Sequence, residues 1–141
     1  MTKLYLDIDG VQLTAKHTRP APDVAAFVAF VTQHFDCYWL TTHCKGDRAT
    51  ALRYLAAYLP PSSLAQLEAV QPTNWDALKT EAIDLSSDFY WLEDRPFQAE
   101  LARLEAAGVS DRLVLVNLDM PEALRQIQDT LRQHLLNQLP A

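Results

Sequence analysis

Short apolar runs alternate with amphipathic segments along the whole 141-residue chain. Runs such as LYLDI and FYWL are rich in apolar and aromatic residues, and such runs predict five β-strands at 4–8, 37–41, 69–71, 89–92 and 113–116. Between the runs, apolar residues recur at helical spacing, often behind a proline or a capping residue that favours a helix start. Strands that alternate with helices predict a five-stranded parallel sheet with helices on both faces, which is a doubly wound (Rossmann-like) α/β fold.

Two connections between the predicted strands differ in character. Asp47 is predicted to cap a helix that runs through Tyr58 and ends at the Pro60-Pro61 pair. Residues 9–21 show no clear period and carry several polar and basic side chains. We interpret this second connection as a functional loop rather than a helix.

Length and composition indicate a single domain over residues 1–141. Hydrophobic residues make up 49% of the chain and charged residues 21%, which is typical of a globular protein. The net charge of −6, without a run of lysines or arginines, argues against an extended nucleic-acid surface or an anionic membrane as the main partner. The N-terminal residues show no signal peptide, and the longest apolar run, 25–31, is too short to span a bilayer, so a cytoplasmic location is predicted.

Polar side chains follow the predicted strands at the point where each strand ends. In parallel α/β sheets, ligands bind beyond these carboxyl ends. Carboxylates that converge there repel one another and need a cation, and hard oxygen ligands with few histidines favour Mg²⁺ over zinc. The candidate residues are Asp7 and Asp9 after the first strand, Thr41 and Thr42 after the second, Lys79 before the fourth, and Glu93 and Asp94 after the fourth.

This set of side chains suits phosphoryl transfer. A carboxylate can attack phosphorus to give an aspartyl-phosphate. Mg²⁺ and a lysine would neutralise the equatorial oxygens, while a hydroxyl orients the phosphoryl group. A second acid two residues further on could protonate the leaving oxygen and later activate water.

Four segments, in order, resemble the motifs of the haloacid dehalogenase-like (HAD) superfamily. LYLDIDGV (4–11) resembles the first motif, an apolar strand that ends in Asp-x-Asp-Gly-Val, and YWLTT (38–42) resembles the second. Lys79 fits the third motif, and FYWLEDRP (89–96) resembles the fourth, a strand that ends in an acidic pair. The stretches where the superfamily inserts cap domains are short, so the chain resembles a small, capless member with an open site.

The resemblance implies a role for each candidate residue. It implies Asp7 as nucleophile and metal ligand, and Asp9 as general acid/base with its backbone carbonyl on the metal. It implies Thr41, with Thr42 beside it, and Lys79 as phosphate ligands, and Glu93 and Asp94 as acidic metal ligands. Which of Glu93 and Asp94 contacts the metal stays open. The choice of Lys79 as the phosphate clamp rests on position, since Lys45 also lies in a strand-end loop.

Other readings of the polar residues are weaker. His34, Cys37, His43 and Cys44 could suggest zinc, but Cys37 lies in a predicted buried strand and the spacing fits no usual site. An EF-hand that starts at Asp7 fails at its sixth and twelfth positions. The three glycines form no glycine-rich phosphate loop, which disfavours dinucleotide binding.

The sequence therefore predicts a Mg²⁺-dependent phosphatase that hydrolyses phosphate monoesters through an aspartyl-phosphate. The alternatives are a non-enzymatic metal- or phosphate-binding regulatory module on the same fold, and a phosphotransferase to an acceptor other than water. The partner is a phosphorylated substrate, small or larger, and an oligomer is possible. Because selectivity would come only from His17, Arg19, His43 and Lys45, we expect slow, broad hydrolysis of small esters.

Overall fold

Four parallel strands form one sheet in the computed structural model, which describes residues 1–139. The strands lie in the order β2-β1-β3-β4. Their bounds are β1 (Lys3–Leu6), β2 (Asp36–Trp39), β3 (Phe89–Glu93) and β4 (Leu113–Leu115). The predicted parallel α/β architecture is confirmed, with one strand fewer than expected.

Five helices connect the strands or follow them. α2 begins after Asp47, whose side chain accepts a hydrogen bond from Ala49 N, so the predicted cap is confirmed. α3 begins with Pro61, whose missing N–H costs nothing in a first turn. The helices are α1 (Val24–His34), α2 (Arg48–Leu55), α3 (Pro61–Leu67), α4 (Gln98–Ala106) and α5 (Ala123–Asn137), with 3₁₀ turns at Lys79–Ala82 and Ser110–Arg112.

The predicted strand at 69–71 is wrong. Gln71 alone pairs with the edge of β2, donating from its N–H to Cys37 O at 2.9 Å and accepting from Trp39 N at 2.8 Å. Ala69 N and Val70 N donate to Gln66 O and Leu67 O in the turn after α3, so neither residue joins the ladder. On the other side of Gln71, Thr73 donates its hydroxyl to the Trp39 carbonyl. The segment therefore lies against the sheet edge without becoming a fifth strand.

Side chains of alternate strand residues divide between two apolar clusters. Leu4 and Leu6 of β1 belong to the larger cluster, which also holds the buried residues of α1, α2, α3 and α5. Tyr5 belongs to a smaller cluster with Trp91 of β3 and Leu104 of α4. Because successive strand side chains point to opposite faces, both faces of the sheet are covered.

The strand order brings the ends of β1 and β3 side by side. The chain passes from β1 to β2 on one side and then crosses to β3 on the other side, so the order reverses at β1. Leu6 pairs with Leu92 in this register, and the next residues along the two strands are therefore Asp7 and Glu93. A crevice at such a reversal is where open α/β sheets bind ligands. None of the helices described in residues 1–139 is long and apolar enough to cross a membrane.

Candidate active site

Three carboxylates converge beyond the ends of β1 and β3. One oxygen from each of Asp7, Glu93 and Asp94 lies within 4.8 Å of the corresponding oxygens of the other two. Asp7 is only 7% exposed and Glu93 only 4%, because both lie directly against the sheet. Both members of the acidic pair after β3 therefore take part, and the geometry does not choose between them.

Lys79 neutralises part of this charge. Its Nζ lies 2.9 Å from Asp7 Oδ2 and 2.7 Å from Glu93 Oε2. Burial alone would lower the pKa of Lys79, but the charges of Asp7 and Glu93 outweigh burial and raise that pKa above its ordinary value. Lys45 lies elsewhere, with its Nζ 4.9 Å above the ring of Trp75. Of the two lysines weighed from the sequence, the structure brings Lys79 to the carboxylates.

Glu100 holds Lys79 in place, although sequence reasoning assigned it no role. Its carboxylate accepts from Lys79 N at 2.7 Å and from Phe97 N at 2.8 Å, and the residue is 2% exposed. The sequence carries one signal for Glu100, since a glutamate at the third position of a helix that begins near Pro96 favours a capping contact. That signal predicts the contact with Phe97 N, but it does not predict that the other carboxylate oxygen accepts from Lys79 N.

The carboxylates carry more charge than Lys79 can balance. Burial, together with the neighbouring carboxylate of Asp7, raises the pKa of Glu93 to about 8, although Lys79 acts in the opposite direction. Without a cation, Glu93 therefore keeps its proton to a higher pH than a glutamate in water does. A divalent cation could take the place of that proton.

Gly10 makes room for Asp94. Its φ is +81°, a conformation that side chains with a Cβ rarely adopt. A Cβ at this position would lie 2.2 Å from both Cγ and Oδ2 of Asp94, which is too close for any contact. The glycine of the first motif therefore allows the carboxylate of the fourth motif to approach the site.

Three contacts fix Asp7 itself. Its Oδ1 accepts from Ile8 N at 2.7 Å, while Oδ2 faces Lys79. Gln12 is fully buried and donates from Nε2 to the Asp7 carbonyl at 3.2 Å. Sequence reasoning gave Gln12 no role in supporting Asp7, since only the folding of residues 9–21 back onto β1 makes this contact.

Asp9 lies beside the carboxylate group but outside it. Its Oδ2 lies 2.9 Å from His43 Nε2, and its Oδ1 accepts from the Tyr54 hydroxyl at 3.2 Å. The rings of His43 and Tyr54 stack with their centroids 3.9 Å apart. The side chain of Asp9 is 46% exposed and can be reached from solvent. Sequence reasoning missed Tyr54, which reaches Asp9 from α2 across 45 residues.

The two threonines differ in their surroundings. Leu40 N donates to Leu6 O at 2.8 Å, so Thr41 follows at the same sheet edge as Asp7. Thr41 is fully buried, and its Oγ1 accepts from His43 N at 3.3 Å. Thr42 is exposed. Thr41 therefore lies at the same sheet edge as Asp7, whereas Thr42 faces solvent.

The donor set fits a hard cation. Three carboxylates supply six oxygens, the ligand type that Mg²⁺ prefers, and Gly10 provides the space that the third carboxylate needs. The cysteines do not offer a competing zinc site. Burial raises the pKa of Cys37 to about 12, and Cys37 donates its thiol to Val31 O. Within residues 1–139, the carboxylate group is the one cluster with suitable spacing.

Comparisons with protein-family models, with curated proteins and with solved structures found no match to this chain. The resemblance to the HAD superfamily therefore rests on the four motifs and stays a prediction.

Gly10→Ala should damage both stability and the carboxylate group. The matched control is Gly108→Ala, because Gly108 also has a positive φ, +72°, but nothing lies within 4 Å of its added Cβ. Left-handed strain should lower the free energy of unfolding by about 1–2 kcal/mol in both variants. Gly10→Ala should cost clearly more, because Asp94 must also move. Denaturant unfolding of the two variants measures the difference, and equal losses would show that Asp94 does not need this space.

Proposed function

We propose that the protein is a Mg²⁺-dependent phosphatase that hydrolyses phosphate monoesters through an aspartyl-phosphate on Asp7, on a HAD-like core without a cap domain. The observation that carries the proposal is the contact of Lys79 with both Asp7 and Glu93, beside Asp94. A nucleophilic carboxylate, a cationic clamp and an acidic pair are the groups that this chemistry needs.

In the proposed reaction, a carboxylate oxygen of Asp7 attacks phosphorus. A bond forms between that oxygen and phosphorus, and the bond from phosphorus to the ester oxygen breaks. Asp9 gives its proton to the departing oxygen, so an alcohol leaves. Water then attacks phosphorus, Asp9 takes a proton from the water, and phosphate leaves with Asp7 restored as a carboxylate.

The surrounding residues support these steps. Ile8 N donates to one oxygen of Asp7. Lys79 contacts the other oxygen and would balance negative charge on the phosphoryl oxygens. Asp7, Glu93 and Asp94 would hold Mg²⁺, which supplies further charge neutralisation and orients the phosphoryl group. His43 and Tyr54 hold the carboxylate of Asp9 from both of its oxygens. This fixed position suits a group that must meet the leaving oxygen.

The setting of Asp9 also favours an enzyme over a binding module. Asp9 does not belong to the carboxylate group that would hold the cation, yet two side chains position it beside that group. A module that only binds metal or phosphate has no need of a positioned acid there. A phosphotransferase differs from a phosphatase only in the acceptor, so release of free phosphate without an added acceptor separates the two.

Activity should require Mg²⁺, and the requirement should depend on pH. The cation competes with the proton on Glu93, whose pKa is raised to about 8. The Mg²⁺ concentration for half-maximal phosphate release should therefore fall as pH rises towards 8, by up to about tenfold per pH unit, and level off above it. Glu93→Gln carries no titrating proton, so that variant should bind Mg²⁺ more weakly and with less dependence on pH. Full phosphate release in excess chelator would contradict the metal assignment.

Asp9→Asn should discriminate between leaving groups. An aryl phosphate releases a good leaving group that needs little protonation, whereas an alkyl phosphate needs a proton donor. We expect Asp9→Asn to lower kcat/KM, which reports the transfer to Asp7 and not the later water step, by about 10²–10⁴-fold on an alkyl phosphate and by much less on an aryl phosphate. Asp111→Asn, an exposed change away from the carboxylates, is the control. Equal losses on both substrates would show that Asp9 is not the acid.

A further inference from the structure

A cavity of about 670 Å³ opens beside the carboxylate group. Gly10 and Asp94 form the wall that it shares with the site, and residues 14–17 and 115–119 form the walls further out. Its volume lies within the ~300–1,000 Å³ usual for small-molecule sites. A phosphoryl group at Asp7 would leave most of this space for the organic part of a substrate.

Basic side chains line the outer part of this cavity. Lys16, His17 and Arg95 are exposed there, and within residues 1–139 their side chains form no ion pair. Of the ten other lysines and arginines, five are ion-paired in the described residues (Lys3, Lys79, Arg112, Arg125 and Arg132) and five are not. Two acids also line the cavity, but Asp94 belongs to the carboxylate group, which leaves Asp119 alone. In a chain of net charge −6, this wall has cations without partners.

The loop that carries Lys16 and His17 has a defined shape. Thr14 N donates to Arg19 O at 2.8 Å, and Thr14 Oγ1 accepts from Arg19 N at 3.0 Å, which closes the base of the loop. His17 and Thr18 have φ values of 67° and 41°, a strained conformation for residues with a Cβ. Elsewhere in the cavity lining, Arg95 N donates to Glu93 Oε1 at 3.4 Å. Lys16 therefore lies in a loop that is closed at its base, and the backbone of Arg95 contacts the carboxylate group.

The remaining wall carries apolar side chains beside Asn117 and Asp119. Leu115 pairs with Glu93 in the sheet register and is 63% exposed. Leu118 lines the same cavity and is half-buried. An apolar surface next to cations suits a ligand with a carbon skeleton and a separate anionic group.

We propose that this cavity binds the leaving group of the substrate, and that this leaving group carries a second anionic group held by Lys16 and Arg95 over the apolar surface of Leu115 and Leu118. The inference rests on the proposed phosphatase function and names its substrate class: phosphate monoesters with an additional carboxylate or phosphate. This substrate class is narrower than the broad selectivity expected from the sequence. Of the four residues expected to set selectivity, His17 lines the cavity, whereas Arg19, His43 and Lys45 do not.

A matched pair of aryl phosphates tests the second anion. 4-Carboxyphenyl phosphate and 4-carbamoylphenyl phosphate have nearly the same shape, but only the first carries the extra charge. We expect kcat/KM with Mg²⁺ to favour the carboxylate by about fivefold to tenfold at low ionic strength, and the ratio to shrink with added salt. 1,4-Phenylene bisphosphate carries a phosphate in place of the carboxylate. If its kcat/KM exceeds that of 4-carboxyphenyl phosphate, the preferred second anion is a phosphate; if its kcat/KM is lower, the preferred second anion is a carboxylate.

Variants tie the preference to the named cations. The double substitution of Lys16→Gln with Arg95→Gln should bring the carboxylate-to-carboxamide ratio close to one, whereas Arg95→Lys, which keeps the charge, should retain part of it. Arg103→Gln is the control, because Arg103 is an exposed arginine of α4 outside the cavity. Thermal unfolding checks that each variant is folded. A ratio of one in the wild type, or a ratio that survives the double substitution, would overturn the proposal.

Failure of the cavity proposal and failure of the phosphatase proposal give different results. If the wild type turns over 4-carbamoylphenyl phosphate but shows no preference for the carboxylate, the phosphatase proposal stands and the cavity proposal fails. If neither ester is hydrolysed, the phosphatase proposal fails. Calorimetry of both esters with the Mg²⁺-loaded wild type then decides the cavity proposal: tighter binding of the carboxylate, lost in the double variant, supports it, and equal affinity overturns it.

Discussion

The ammonium group of Lys79 between Asp7 and Glu93 is the contact on which this end of the molecule depends. Two buried carboxylates side by side would repel each other at a high cost in free energy without a positive partner. Lys79 supplies that partner at 2.9 Å and 2.7 Å. Glu100 holds the Lys79 backbone from α4, and it is itself buried. One charged network thus connects the ends of β1 and β3 with the 3₁₀ turn at Lys79–Ala82 and the start of α4.

The sheet register explains why this network can also serve chemistry. Parallel pairing of β1 with β3 makes Asp7 and Glu93 neighbours, and Gly10 lets Asp94 join them. One lysine cannot balance three carboxylates, and the pKa of Glu93 is raised by its burial and, next, by the charge of Asp7. The same excess that costs stability in the metal-free protein would favour a divalent cation. Strain and charge of this kind are concentrated at functional sites.

How far the sequence predicts the structure depends on the range of each interaction. Local signals worked: Asp47 caps α2, and four apolar runs are strands. The run at 69–71 failed because Ala69 and Val70 belong to the turn after α3, where their N–H groups donate to Gln66 O and Leu67 O. Lys79 could be chosen by position, but the contacts of Glu100 and Tyr54 could not. Those residues act across 21 and 45 residues, and only the packed fold brings them to their partners.

The central claim is that Asp7 carries the phosphoryl group during turnover. The most direct measurement is to mix the Mg²⁺-loaded protein with a radiolabelled phosphate ester, quench in acid, and locate the label by peptide mapping. We predict a hydroxylamine-sensitive label on Asp7 in the wild type. More label should accumulate in Asp9→Asn with an aryl ester, because water then lacks its base. Asp7→Asn should carry none. Continued turnover in Asp7→Asn, or a label on another residue such as His43, would contradict the proposed mechanism.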